Sequence, residues 1–352
     1  MDTLTHALSG ALLARATAPR PDDPQALPLT RRMLVGFVAA MAPDLDFVFG
    51  YLGPIAYLEN HRGITHSLIL LPLWAFLLAK LCSVIWRRDR PWKAYFVVIA
   101  LSLGFHIAGD WITSYGTMVF APFSDARYGI GTTFIIDMWF TGILALGLIA
   151  CWVWRDTHTP AIAGLAALCG YIAFQGLQQH RAIEWGEAYA KSASLKDAQV
   201  TAQPRPVSPF NWLVIVRSGD EVRYSFVNLV RREALSVERD SGYLRRLDSI
   251  YLPLPQAQWV YGSRFGTSEA DRAFAREAWS RPEFGFFRWF AEEPVLLRVN
   301  SGYPAPCAWF QDLRFFTPGR DNWPFRYGMC REAGGGWRTY LLLGENTKQP
   351  IP

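Results

Sequence analysis

The chain is short of charge. Only 18% of its 352 residues are Asp, Glu, Lys or Arg, against roughly 25% in an average soluble domain. The formal net charge of +5 is small and dispersed, which argues against a nucleic-acid partner. Five cysteines exclude a disulfide scaffold, and they show neither a CxxC pair nor zinc-finger spacing. The N-terminus does not read as a cleavable signal peptide, because Asp2 rather than a basic residue precedes the first apolar stretch and His6 lies within it. What is plentiful is apolar: 51% hydrophobic residues and 15 Trp, a side chain that often sits at membrane–water interfaces. A mean hydropathy of +0.08 is still too modest for a chain embedded throughout. The length suggests about two domains.

The halves differ. Residues 1–180 hold 12 Lys/Arg and 11 Asp/Glu; residues 181–352 hold 23 and 19. In the first half, 68–86 is apolar apart from Lys80, 94–112 apart from His106 and Asp110, 133–154 apart from Asp137, and 161–179 carries no charge. Each approaches the ~20 residues that cross ~30 Å of hydrocarbon. A fifth run, 33–52, is broken by Pro43-Asp44-Leu45-Asp46, and 4–18 is a sixth, short or re-entrant candidate of only ~23 Å. Arg15, Arg20, Arg31 and Arg32 lie between the first two candidates, Arg87, Arg88, Arg90 and Lys93 between the third and fourth, and Arg155 after the fifth. Six spans put these connections on one side, the cytoplasmic one by the excess of positive charge. The expected fold is an α-helical membrane bundle of about six spans over 1–180, a helix and linker over 181–209, and a mixed, β-containing extracytoplasmic domain over 210–352. In the last part 211–216 and 222–229 read as a hairpin, 269–279 as a helix and 337–343 as the last strand. Thr201 to Pro209, with three prolines, reads as linker. Cys307 and Cys330 could pair in an oxidising compartment or remain two buried thiols.

Ionisable groups inside spans are costly and usually functional. His106 and Asp110, four apart, share a helix face and suit one metal ion. Asp44 and Asp46 follow Pro43 where a helix ends. His61 and His66 bracket the start of the next span in His61-Arg62-Gly63-Ile64-Thr65-His66-Ser67, Asp137 lies near the start of its span, and His6 near the start of the first. In the six-span topology all eight reach one outer level. Three or four His with four Asp suit one to three divalent ions, zinc being favoured by the imidazoles. Such ions activate water, and Arg62 could hold a phosphate or carboxylate oxygen bidentately. Other readings stay open: Asp137 or Asp44 as helix caps, His61 bonded to backbone, and His106 with Asp110 as a hydrogen-bonded pair or proton relay.

Met1-Asp2-Thr3-Leu4-Thr5-His6, Pro43-Asp44-Leu45-Asp46, the His61 to Ser67 motif and His106-Ile107-Ala108-Gly109-Asp110 together resemble the YdjM-like family, over roughly residues 1–180. Its members are described as inner-membrane, metal-dependent hydrolases. The resemblance implies His6, Asp44, Asp46, His66, His106 and Asp110 as the metal-site candidates. A weaker similarity is to zinc-dependent phospholipase C and the related single-strand nucleases, which use an N-terminal ligand and a His-x-x-x-Asp helix in a trinuclear zinc site. This chain departs from them in lacking a processed N-terminal ligand and a second, clear His-x-x-x-Glu helix.

The expectation is therefore a hydrolase of the bacterial inner membrane, with the bilayer as partner, zinc as cofactor, and a lipid or lipid-linked phosphoester as substrate. His6, Asp44, Asp46, His61, His66, His106 and Asp110 are the candidate ligands, and Asp46, Arg62 and Asp137 the candidate catalytic groups. Two alternatives use the same residues differently. A transporter would pass ions along the His/Asp cluster, and a binding protein would use the bundle only as an anchor.

Overall fold

The computed structural model describes residues 1–19, 23, 25–238, 240–300, 306–319, 323–344 and 347–351. Arg20, one of the basic residues that set the expected orientation, lies outside the described residues. The chain divides into two units, Met1–Tyr51 with Asn60–Leu177, and Leu52–Glu59 with Gln178–Pro352.

The first unit is helical. Helix α1 (Thr3–Ala16) begins at Asp2, whose carboxylate accepts the Thr5 N–H at 3.0 Å. It packs against α2 (Leu29–Met41), α5 (Trp92–Trp111) and α6 (Met138–Val153). Small residues make this central position possible. Gly10 sets the α1 backbone against that of Gly36, with Ala14 and Ala40 on either side. One apolar cluster runs through Val35, Ala39, Val98 and Ile99. A second gathers Leu12, Phe140, Leu144 and Leu168. Helix α4 (Leu71–Ile85) packs on α5. The outward faces of α4 and α6 expose Leu77, Leu81, Val84, Leu146, Ile149 and Trp152, a surface suited to hydrocarbon.

Among the described residues three helical stretches are long and apolar enough to cross a membrane: Leu29–Leu52, Trp92–Trp111 and α7 (Thr159–Ser192). A fourth is added if Pro54–His66 and Leu71–Ile85, bent by 79°, form one broken span. The other two candidates are short helices, α1 with 14 residues and α6 with 16. The basic connections lie together. Arg15 Nη2 donates to the carbonyls of Arg155 and Thr157 at 2.6 and 2.7 Å. Arg31 pairs with Asp89 at 2.5 Å, and Arg90 Nε donates to the Ala26 carbonyl at 3.4 Å.

The second unit carries two five-stranded sheets. In the first, β2 (Asn211–Ser218) and β3 (Glu221–Asn228) form the expected hairpin, and Gly219 takes the φ of +61° that its two-residue turn requires. The linker reading is corrected in part, because β1 (Gln199–Pro204) is a strand paired with β2. It is an end strand of the sheet, where a terminal Pro204 is tolerated. The second sheet runs β10 (Lys348–Pro350), β9 (Trp337–Leu342), β8 (Arg326–Arg331), β7 (Cys307–Asp312) and β6 (Pro294–Asn300). Thus β9 is followed by one more strand, too short and polar to announce itself. Cys307 and Cys330 are register partners on β7 and β8 and form a disulfide. The expected helix at 269–279 is α9 (Glu269–Ser280), capped by Ser268. Two buried arginines of this unit find internal partners: Arg314 pairs with Asp312 at 2.8 Å, while Arg205, pulled down to about 10 by burial, donates to the carbonyls of Leu313 and Arg314.

Candidate metal centre

Four local features bring the site residues together. On α5, His106 and Asp110 stand one turn apart, His106 Nε2 lying 3.5 Å from Asp110 Oδ2. After α2, Pro43 cannot continue the helical hydrogen bonding, and the chain tightens into the 3-10 stretch Ala42–Leu52 that carries Asp44 and Asp46. The first turns of α1 present Thr3 and His6. Between 60 and 67 the chain turns through Arg62, at φ 60°, and the short 3-10 turn Ile64–His66. His6, Asp46, Arg62, His66, His106 and Asp110 are all buried.

The nitrogens point at one another. His66 Nε2 and His106 Nε2 are 2.9 Å apart. Asp110 Oδ2 lies 3.1 Å from the first and 3.5 Å from the second, and Asp44 Oδ1 3.9 and 3.7 Å from them. The partners of the far ring nitrogens assign the tautomers. His106 Nδ1 lies 2.6 Å from the Ala40 carbonyl, which only accepts, so the proton is on Nδ1. The Thr65 hydroxyl donates to Asp46 Oδ2 at 3.1 Å, so its oxygen accepts from His66 Nδ1 at 2.9 Å. With both rings neutral, both Nε2 atoms carry lone pairs. Asp110 Oδ2 is buried and then has no hydrogen-bond donor among the described residues. Three electron-rich atoms facing one another in that state make a seat for a cation. Zn–N and Zn–O bonds of ~2.0–2.2 Å in a tetrahedron put ligand atoms ~3.3–3.6 Å apart, within the spread found here. His6, Asp44, His106 and Asp110 also offer one atom each within 4.8 Å of one another. The His6 ring stacks on His106, with centroids 3.7 Å apart, and its Nε2 lies 3.1 Å from Asp110 Oδ1.

Four candidates stand elsewhere. Asp46 is used up in holding the 61–66 turn: Oδ1 binds His61 Nδ1 at 2.7 Å, and Oδ2 accepts the Arg62 N–H at 2.9 Å and the Thr65 hydroxyl. His61 is accordingly tied to Asp46 rather than grouped with His106 and Asp110. Arg62 does not present an open fork to a ligand; Nη2 pairs with Asp110 Oδ1 at 2.7 Å and Nη1 donates to Thr113 Oγ1 at 2.8 Å. Asp137 stands outside the His/Asp group and caps α6. Its Oδ1 accepts the N–H groups of Trp139 and Phe140 at 2.9 and 3.0 Å, and Tyr171 donates to Oδ2 at 2.8 Å. Asp137→Ala is expected to cost about 1 kcal/mol, the usual value of such a cap, and to leave bound metal unchanged. Thermal unfolding and metal analysis check both, and lost metal would return Asp137 to the site.

Sequence reading missed several supporting groups. Thr65 and Thr3 lie inside the quoted motifs, and Thr3 donates to Asp44 Oδ2 at 2.7 Å. The Met1 amino group ion-pairs with Asp110 Oδ1. Thr113 and Tyr115 follow α5, the Tyr115 ring 4.9 Å from the Arg62 guanidinium. None of these had a signal beyond being near a motif.

Comparison with known proteins agrees on the helical half. The uncharacterized protein YfhP of Bacillus subtilis (strain 168) is 26% identical over 187 residues, 51% of this chain and 55% of that protein. The chain thus spans about half the length of the curated relative it matches. No solved structure matches. A family model described as YdjM inner membrane protein matches residues 1–182, more than half of the chain. With its apolar helices and its His/Asp group inside them, this chain is a membrane protein and belongs to the YdjM inner membrane protein family.

Proposed function

We propose that the protein is a metal-dependent hydrolase embedded in the bacterial inner membrane, acting on a lipid or lipid-linked phosphoester. The observation that carries this reading is the facing pair of Nε2 lone pairs on His66 and His106 beside the orphaned Asp110 Oδ2. His66, His106, Asp110 and Asp44 would hold a divalent ion, zinc for preference, with His6 beside them. When bound, such an ion polarises a phosphoryl oxygen and makes water acidic enough to react near neutral pH.

The chain's own residues supply the rest. Arg62 fixes the Asp110 carboxylate from its other oxygen. Asp46 fixes the turn that aims His66. His61, 14% exposed where His66 and His106 are closed off, offers Nδ1 on Asp46 Oδ1 as the point where a proton leaves the site. Depth supports a lipid substrate. Asp110 and His106 fall in the last two turns of α5, within ~8 Å of its end, at the end away from the basic connections. Six crossings with those connections in the cytoplasm would place the site and the β-containing unit outside.

The test uses the full chain in nanodiscs with a short-chain lipid phosphoester. Phosphate release is expected, abolished by chelation, restored by zinc, and reduced at least about 100-fold in His66→Ala, as for loss of a catalytic electrostatic group. No release from protein carrying its ion, or unchanged release by His66→Ala, would sink the proposal.

A further inference from the structure

We infer that Arg62 sits where a second cation would sit, so that the centre holds one divalent ion per chain. The inference rests on the metal reading above and narrows it.

Paired-metal sites hold their ions ~3.5–4 Å apart and stabilise the attacking and leaving oxygens between them. Asp110 is the carboxylate here placed to bridge two ions, since its oxygens face different ways. Oδ2 faces His66 and His106 without a donor, and Oδ1 faces Arg62 Nη2 at 2.7 Å, His6 Nε2 at 3.1 Å and the Met1 amino group. The second face is thus already met by a positive charge.

That charge is built in. Arg62 is 1% exposed. Its Nη1 is on Thr113, and Tyr115 lies against the guanidinium. Its backbone, at φ 60°, is clamped from both sides: the N–H donates to Asp46 Oδ2 at 2.9 Å, and the carbonyl accepts the Met118 N–H at 2.9 Å. A non-glycine residue stays in that conformation only where its surroundings insist on it. Charge agrees. Asp44, Asp46 and Asp110 against Arg62 and the Met1 amino group leave one negative charge. One divalent ion leaves one positive charge, and a second would leave three buried among apolar helices, a costly state. The remaining pair, His61 with Asp46, offers no second site, because Asp46 Oδ2 already accepts two hydrogen bonds and His66 directs its other nitrogen to the first.

Metal analysis of the full chain in detergent, with Mn(II) titration followed by electron paramagnetic resonance, tests the count. The wild type is expected to saturate at one ion with the spectrum of isolated Mn(II). Two or more tight ions, or a spin-coupled spectrum, would overturn the inference while leaving a metal protein. No bound ion would overturn the metal reading beneath it. Arg62→Lys is expected to keep one ion, and Arg62→Met to take up a second at excess Mn(II). A folded Arg62→Met chain that still saturates at one ion would remove Arg62 from this role. Should that variant not fold, the wild-type count decides.

Discussion

An Asp110→Asn chain is expected to lose its metal ion and about 3–5 kcal/mol of stability together. The two losses come from different oxygens of one side chain. Oδ2 belongs to the cation seat with His66 and His106. Oδ1 neutralises Arg62, whose guanidinium is closed to solvent. Asparagine keeps the shape but removes the charge, leaving a buried guanidinium without a counterion, and removing one partner of a buried pair strands the other. His66→Ala separates the effects, because it deletes a ligand and leaves Arg62 paired. It should empty the site with a smaller change in unfolding. Adding Arg62→Met to Asp110→Asn should recover part of the lost stability, since contacting residues are not additive and the stranded charge is gone. Metal content and unfolding temperature in detergent report the two losses. An Asp110→Asn chain that keeps both its ion and its melting temperature would take Asp110 out of the centre.

The candidate ligands that the structure brings together each carry a local reason in the sequence. His106 and Asp110 have the i,i+4 spacing of one helix face, and a carboxylate after Pro43 must lie where a helix gives way. What orients them was not legible. His106 is fixed by the Ala40 carbonyl and His66 by the Thr65 hydroxyl, and neither a backbone oxygen nor one threonine among many stands out in a chain. Asp137 looked like a site residue because an apolar run makes any lone charge conspicuous; an N-cap explains it equally well, and the fold chose the cap. Arg62 was read for its position beside two histidines, but its partner, Asp110, is 48 residues away in sequence. In the β-containing unit the hairpin of β2 and β3 was plain, whereas β1 was hidden behind Pro204 and β10 by having only three residues. The grouping of the basic connections followed from counting helices. The central place of the short helix α1 did not, because that depends on how closely two backbones can approach.

That approach yields the other large effect: Gly36→Ala should weaken metal binding although it touches no ligand. A Cβ built on Gly36 would meet the Gly10 carbonyl on one side and the Ala14 Cβ, at 2.7 Å, on the other. Neither is the movable end of a long side chain, so α1 and α2 must part. Overpacking of this kind costs about 1–3 kcal/mol. The shift reaches the site directly, because α1 carries Thr3 and His6 and the chain leaving α2 carries Asp44, joined by the Thr3 to Asp44 hydrogen bond. Disturbing such supporting contacts typically lowers metal affinity about 10–100-fold. The same substitution at Gly142 on α6 is the control. A Cβ there meets no described atom within 4 Å, so Gly142→Ala should be neutral or stabilising by up to ~1 kcal/mol through helix propensity alone. One methyl group thus acts with opposite sign at two helical glycines, and calorimetric metal titration with thermal unfolding would show it. Equal behaviour of the two variants would mean that the α1–α2 contact does not set the geometry of the centre.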